Sequence, residues 1–231
     1  MELVQQINQL KQERNALILA HYYEHGAIQD LADYVGDSLK LAQFGQQAKN
    51  PVILLAGVTF MAETVKILSP EKTVLVPDVN AGCSLVHHSP FHLYKAWKDA
   101  HPGSVLVSYV NSSAQVKSIS DVICTSANAE KVIRSIPKNK TILFGPDRNL
   151  GSYLQKKIGR PMELWPGACD VHVLFSARKL FELKKTYPHA PILAHPECVE
   201  TVLQYADVTG STSRLLEEVK TNPAYEKLSS T

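Results

Sequence analysis

Three short apolar stretches, each ending in polar residues, decide the fold of this chain: Leu17-Ile18-Leu19-Ala20-His21-Tyr22-Tyr23, Val105-Leu106-Val107-Ser108-Tyr109-Val110-Asn111 and Pro191-Ile192-Leu193-Ala194-His195-Pro196-Glu197. His21, Ser108 and His195 hold the same place in them and follow one another at intervals of 87 residues. This period is too long for a solenoid repeat and suits repeated small α/β units. Continuous apolar runs of this length are typical of parallel strands buried on both faces. The sequence therefore predicts an α/β fold.

The similarity between the repeats continues beyond the first strands. A helical stretch follows each strand and leads to a similar phrase ending in a hydroxyl residue, at residues 32–38, 120–126 and 206–212. Each phrase precedes an amphipathic segment, so Ser38, Ser126 and Thr212 are predicted to be helix N-caps. Further apolar strands are predicted at residues 52–57 and 141–146.

A helix and a fourth strand then lead to Cys83 in the first repeat and Cys169 in the second, 86 residues later. These observations predict pseudo-threefold repeated α/β/α domains with short parallel sheets. The expected domains are residues 1–88, with Cys83 at the end, residues 89–174, with Cys169 at the end, and residues 175–231, an incomplete third repeat.

The composition is that of a globular protein without a strong charge bias. Apolar residues make up 45% and charged residues 20% of the 231 residues, and the formal net charge is +2. This balance gives no basic surface for nucleic acid or for an anionic membrane. The N-terminus lacks a basic-then-apolar signal region, and no apolar run approaches the length of a membrane span. We expect a cytoplasmic protein with neither nucleic-acid nor membrane partners.

The four cysteines, Cys83, Cys124, Cys169 and Cys198, are widely separated and form no C-x-x-C pair. A secreted disulfide framework is therefore a poor explanation, and buried thiols are the simplest one. The equivalent places of Cys83 and Cys169 also suit a metal centre with one thiolate per repeat, an iron–sulfur cluster more naturally than zinc. The same equivalence predicts a third cysteine at about residue 255, beyond Thr231.

Polar side chains at the strand ends form the candidate site, because ligands collect at the carboxyl ends of parallel strands. Helix N-termini from three repeats would suit a phosphate or a dicarboxylate. Glu197 is the best carboxylate candidate for proton transfer, whereas His21 and His195 are substrate donors, acid/base groups or core histidines. Phosphate-loop, dinucleotide, zincin and nucleophile-elbow motifs are absent from the sequence, and we assign no cofactor role to residues 145–151.

The motifs taken together resemble those of quinolinate synthases. They span residues 15 to 215 and are ILAHYYE, DYVGDSLKLA, GVTFMAETVKIL, AGCSL, SYVNSSAQVK, CTSANAEKV, FGPDRNLG, the Pro166–Cys169 segment through His172, HPEC and ADVTGSTS. The resemblance implies three pseudo-equivalent α/β domains around a 4Fe-4S cluster that acts as a Lewis acid. It also implies that iminoaspartate condenses with dihydroxyacetone phosphate to give quinolinate for NAD biosynthesis, with aspartate oxidase as the supplier of iminoaspartate.

The resemblance also implies roles for individual residues. Cys83 and Cys169 match cluster ligands, whereas Cys124 and Cys198 match none. Tyr23, Glu197 and His195 match catalytic groups. The residues that match substrate-binding positions are His21, Ser38, Tyr109, Val110, Asn111, Ser126, His195, Pro196, Glu197 and Thr212.

The third cluster cysteine of the family has no counterpart in the 231 residues. We therefore expect the chain by itself to be inactive unless another ligand completes the cluster. Two other hypotheses remain open at this point. One is a non-catalytic relative that binds a dicarboxylate or phosphate metabolite, and the other is an electron carrier or iron–sulfur sensor, which has no need of the histidines and Glu197.

Overall fold

The computed structural model of the chain describes residues 3–222, in which helices alternate with short parallel strands. The elements of the first unit are α1 (Leu3–Glu13), β1 (Ala16–His21), α2 (Gly26–Gln29), β2 (Tyr34–Gly36), α3 (Ser38–Gln47), β3 (Val52–Ala56), α4 (Thr59–Leu68), β4 (Thr73–Leu75) and α5 (Ser84–His87). The sheet order is β2-β1-β3-β4, and every pair is parallel. Leu17 lies opposite Ile53, which lies opposite Val74.

The second unit repeats this topology. Its elements are α6 (Phe91–Asp99), β5 (Val105–Tyr109), α7 (Ala114–Ile119), β6 (Val122–Cys124), α8 (Ala129–Ser135), β7 (Ile142–Gly145), α9 (Arg148–Ile158), β8 (Glu163–Leu164) and α10 (Asp170–Val173). The order β6-β5-β7-β8 is again parallel throughout. The first strand of each unit therefore lies inside its sheet, between the second and third strands.

The third unit contains the counterparts of the first two strands. Its elements are α11 (Ala177–Thr186), β9 (Leu193–Ala194), α12 (Glu200–Leu203), β10 (Val208–Thr209) and α13 (Thr212–Thr221). β9 and β10 pair in parallel, as β1 pairs with β2 and β5 with β6. Among residues 3–222, the other edge of β9 has no partner strand.

The strands form where the sequence is continuously apolar because both faces of each sheet are covered. Leu19, Leu55, Leu106 and Phe144, from four central strands, are completely buried. One hydrophobic core runs through the first and second units, and the second unit has a further cluster that includes Tyr94, Leu106 and Trp165. The third unit has a separate small cluster of Ala194, Cys198 and Val202.

A repeated aspartate fixes the first strand of each unit. Each carboxylate accepts a hydrogen bond from a backbone N–H of the strand, and each aspartate N–H donates to the carbonyl of that same residue. The pairs are Asp33 with Ile18, Asp121 with Leu106 and Asp207 with Ile192, with N–O distances of 2.7–3.0 Å. A lysine also approaches each carboxylate, at 2.6 Å for Lys11, 3.4 Å for Lys98 and 3.4 Å for Lys184. This part of the sequence repeat is thus explained by backbone pairing.

The predicted α/β class, with short parallel sheets in a repeated order, is confirmed. The domain boundaries at residues 88 and 174 stay predictions, and residues 223–231 of the predicted third domain lie outside the described residues. Within the described part of the chain, the helices are all too short or too polar to cross a membrane.

Candidate active site

A cavity of about 570 Å³ lies at the carboxyl ends of the strands and is lined by residues of all three units. Of the residues singled out from the sequence, those that line it are His21, Tyr23, Ser38, Cys83, Tyr109, Val110, Asn111, Ser126, Cys169, His195, Glu197 and Thr212. Pro196 is the exception, although its two neighbours face the cavity. The structure therefore brings almost the whole candidate set together, and their individual roles stay proposals.

Hydrogen bonds join the third unit to the other two around this cavity. Tyr23 Oη lies 3.1 Å from Thr212 Oγ1, and Ser213 Oγ donates to the Asp37 carboxylate. Asn149 Nδ2 donates to the Glu197 backbone carbonyl at 3.0 Å. These contacts make the cavity a shared site of the three units rather than a property of one of them.

The prediction that Ser38, Ser126 and Thr212 are N-caps is wrong. The caps of α3 and α13 are Asp37 and Ser211, whose extended backbones let their side chains accept from the third amide of each helix. Ser38 and Thr212 are the first residues of those helices. In the second unit a turn separates Ser126 from α8, which is capped by Asn128 without a side-chain bond. The hydroxyl groups still line the cavity, but they do not cap the helices.

His21 and His195 occupy the same local geometry in the first and third units. His21 Nδ1 accepts from the Tyr23 N–H at 3.3 Å, and His195 Nδ1 accepts from the Glu197 N–H at 3.4 Å. A neutral imidazole whose Nδ1 accepts carries its proton on Nε2. Burial lowers the pKa of His21 to about 4 and also lowers that of His195. Both side chains are therefore neutral hydrogen-bond donors near pH 7.

Protonation of His21 should lower the free energy of unfolding by about 2 kcal/mol as the pH is lowered from 6.5 towards 4. The pKa of His21 is lowered in the folded chain from 6.5 to about 4, so folding favours the neutral ring. This contribution is complete above pH 6.5 and is lost as the pH falls through the folded-state pKa. Urea unfolding of the parent and of His21→Asn at several pH values measures it.

His92→Asn, at an exposed position on α6, is the matched control and should keep the acid dependence of the parent. The assignment of His21 as a buried neutral ring is contradicted if His21→Asn retains the whole acid dependence.

Glu197 is the buried carboxylate of the cavity, with 3% of its surface exposed. His172 Nδ1 lies 3.0 Å from Oε2, and His195 Nδ1 lies 3.7 Å from Oε1. Burial alone would raise the pKa of Glu197, but the hydrogen bond and the charge of His172 outweigh it and hold the pKa below its ordinary value. Burial and then the Glu197 charge raise the pKa of Tyr109 well above its ordinary value. An ionised carboxylate thus lies beside a phenol that keeps its proton.

Cys83 and Cys169 lie at equivalent places, each immediately before a short helix, α5 or α10. Burial raises the pKa of the Cys83 thiol. Asp147 is completely buried, and its carboxylate accepts from the Leu150 N–H at 2.7 Å and from the Cys169 N–H at 3.1 Å. Asp147 therefore both caps α9 and holds the Cys169 backbone.

The loops that carry the two cysteines are bonded to each other directly. The Asp170 N–H donates to Ser84 Oγ at 3.1 Å, and Trp165 Nε1 donates to the His88 carbonyl at 2.7 Å. His88 Nδ1 lies 2.8 Å from the Ala168 carbonyl oxygen. These bonds fix the spacing between the two thiols across the boundary of the first two units.

The donor set of the cavity suits a soft metal centre. Cys83 and Cys169 both line the cavity, which fits thiolate ligation of an iron–sulfur cluster. Cys124 and Cys198 are buried and are not among the residues that line it. Cys169, His172 and Glu197 also form a compact group whose candidate ligand atoms all lie within 4.8 Å of one another. The described residues thus supply two thiolates, an imidazole and a carboxylate.

Asp37, Asp147 and His172 were missed as site residues by the sequence reasoning. His172 and Asp147 lie within quoted motifs, at Cys169 through His172 and in FGPDRNLG, but no equivalent in another repeat marks either residue. Asp37 precedes the hydroxyl residue that was taken for the cap. The only available signals were the CDVH spacing and the aspartate next to a predicted helix start.

Comparison with known proteins identifies close relatives over nearly the whole chain. The family model described as "NadA: Quinolinate synthetase A protein" matches residues 5–231. A protein named quinolinate synthase from Chloroherpeton thalassium is 52% identical over 217 residues, covering 94% of this chain and 67% of the relative. One from a Nostoc species is 51% identical over 226 residues, covering 98% and 70%. One from a Synechocystis species is 52% identical over 215 residues, covering 93% and 68%.

Proposed function

The chain belongs to the quinolinate synthase family, and on that premise we propose that its cavity forms quinolinate for NAD biosynthesis from iminoaspartate and dihydroxyacetone phosphate. Aspartate oxidase is the proposed supplier of iminoaspartate. The observation that carries the proposal is the meeting of a buried carboxylate, two neutral histidines and two cysteines in one cavity. An electron carrier has no use for such a set of donors and acceptors.

Substrate binding in this proposal rests on neutral donors. His21 and His195 each direct an Nε2–H away from the backbone, and Asn111 adds an amide. The first residues of α3 and α13, two ten-residue helices, line the cavity, and helix N-termini favour anions. The Asp37 carboxylate is already engaged by the Lys40 N–H and by Ser213 Oγ. The carboxylates and the phosphate of the substrates are the proposed ligands of this surface.

Proton transfer is assigned to Glu197 and Tyr23. Glu197 is ionised at neutral pH because its interaction with His172 outweighs its burial, so it is suited to accept a proton from the condensing carbon or nitrogen. Tyr23 Oη lies against Thr212 and is suited to donate a proton to a departing oxygen. His195 Nδ1 accepts from the Glu197 N–H at 3.4 Å and so holds the backbone that carries this carboxylate.

Cys83 and Cys169 would hold the proposed 4Fe-4S cluster, which when bound supplies a Lewis acid that polarises a hydroxyl or carbonyl group. Asp147 and the bonds between the cysteine loops would keep these two thiols in place before the cluster assembles. The His172 imidazole and the Glu197 carboxylate lie beside Cys169 and add polar groups to this end of the cavity.

Anaerobically reconstituted protein should form quinolinate only when both substrates are present and a further ligand has completed the cluster, since Cys83 and Cys169 match only two of its cysteine ligands. His21→Ala should weaken binding of quinolinate, a dicarboxylate, by about tenfold or more, as expected for loss of a hydrogen bond to a charged group. His92→Ala, on the exposed face of α6, should bind as the parent does. Product analysis and calorimetry measure the two effects. Dicarboxylate binding without iron and without turnover would overturn the catalytic proposal in favour of a metabolite-binding relative.

A further inference from the structure

We propose that Cys169 Sγ, His172 Nδ1 and a Glu197 carboxylate oxygen form a mononuclear site for a zinc-class divalent cation. The three candidate ligand atoms lie within 4.8 Å of one another; Cys169 and Glu197 are buried, and the side chain of His172 is 17% exposed. The site shares Cys169 with the proposed cluster but does not use Cys83. It rests on this local geometry and not on the proposed reaction.

The distances already approach those of a zinc site. His172 Nδ1 lies 3.0 Å from Cys169 Sγ and 3.0 Å from Glu197 Oε2. Zinc bonds of about 2.0–2.3 Å in a tetrahedron separate neighbouring ligand atoms by roughly 3.3–3.6 Å. The two distances to His172 Nδ1 are therefore within a few tenths of an ångström of this geometry, and the Cys169 sulfur and the Glu197 oxygen lie no more than 4.8 Å apart.

Hydrogen bonding alone leaves this arrangement incompletely satisfied. His172 Nδ1 carries at most one hydrogen, yet the Cys169 sulfur and the Glu197 oxygen both lie 3.0 Å from it. Only one of the two can receive a well-aligned bond from that nitrogen. A cation that displaces the hydrogen would be bound by all three atoms and would neutralise the charge of the buried carboxylate.

The backbones that carry the ligands are held before any metal arrives. Asp147 binds the Cys169 N–H, and Asn149 binds the Glu197 carbonyl. Cys169 is the residue immediately before α10, and His172, three residues later, lies in that helix, with its Nδ1 3.0 Å from the Cys169 sulfur. His195 Nδ1 accepts from the Glu197 N–H at 3.4 Å and holds the Glu197 backbone. Such supporting contacts are typical of metal ligands.

The chemistry of the ligands selects the class of ion. A thiolate and an imidazole favour zinc and its neighbours over magnesium or calcium, which prefer oxygen. Three protein ligands leave a fourth position, and both Cys169 and Glu197 line the cavity from which water or a carboxylate would fill it. Because Cys169 would serve both centres, zinc and the iron–sulfur cluster compete.

Titration of metal-free, anaerobic protein with Co(II), a spectroscopic substitute for zinc, tests this site. We expect one cobalt per chain, with thiolate-to-cobalt charge transfer and tetrahedral visible bands. Cys169→Ser should abolish the charge-transfer band, and His172→Ala should weaken binding by at least about 10- to 100-fold. Cys83→Ser, the matched control on the equivalent loop, should bind cobalt as the parent does.

A charge-transfer band that is lost in Cys83→Ser but kept in His172→Ala would overturn the proposal, because the metal would then lie between the two thiols. Cobalt binding unchanged in all three variants would overturn it as well. In a second measurement, zinc added before reconstitution should lower the iron bound by the parent and should have less effect on His172→Ala. Quinolinate formation is measured separately, so its absence does not bear on either result.

Discussion

Glu197→Gln is expected to lower the rate of quinolinate formation by about 10²- to 10⁴-fold, the usual contribution of a positioned proton-transfer group. The substitution keeps the size of the side chain and a carbonyl acceptor for His172, but it removes the basic oxygen. Burial does not protonate the parent carboxylate at neutral pH, since His172 holds the pKa of Glu197 below its ordinary value. The affinity for quinolinate should be retained or increased, because the lost charge repelled an anionic ligand.

Glu163→Gln is the matched control for this measurement. Glu163 is an exposed residue of β8, so the same chemical change is made away from the cavity. Its steady-state rate, iron content and thermal unfolding should equal those of the parent. A Glu197→Gln variant that retains its cluster and turns over at the parental rate would remove Glu197 from the proton-transfer step.

The fold could be predicted largely from the sequence because its central strands are buried on both faces. Continuous apolar runs predicted β1 at residues 17–23 and β5 at residues 105–111, and the structure has them at Ala16–His21 and Val105–Tyr109. The polar residues at the end of each run extend beyond the strand into the cavity. Repetition then placed the equivalent residues of the three units at one end of the sheets.

The helix starts could not be predicted with the same accuracy. A cap is decided by which residue has an extended backbone, and the sequence D-S before α3 leaves two candidates one residue apart. The same choice arises at Ser211 and Thr212 before α13. The cap lies one residue earlier than predicted in both helices. The hydroxyl residue that follows it therefore does not cap the helix but faces the cavity.

Contacts between the units could not be predicted by comparing the repeats. Ser84 meets Asp170, and His88 meets Ala168, only because the first two units pack with their cysteine loops together. His172 acquires its role from Glu197, which lies in another unit. Equivalence between repeats predicts what each unit contains, but the chemistry of the cavity depends on what differs between them.

Asp147 is a residue of the second unit that has no equivalent in the other repeats. Asp147→Ala is expected to lower the free energy of unfolding by about 2–5 kcal/mol. The completely buried carboxylate accepts from the N–H groups of Leu150 and Cys169, and alanine would leave both without that acceptor. Release of Cys169 should also weaken the cobalt charge-transfer band. Urea unfolding and the cobalt titration measure the two effects on the same sample.

Two further variants separate capping from support of the cysteine. Asparagine keeps one of the two acceptor oxygens, so Asp147→Asn should be milder than Asp147→Ala. Ser176→Ala removes only the cap of the exposed helix α11 and should cost about 0.5–1 kcal/mol. If Asp147→Ala is no more destabilising than Ser176→Ala, the bond to Cys169 adds nothing to stability. A large loss of stability together with the weakened cobalt band would instead show that Asp147 couples the α9 cap to the position of the thiol.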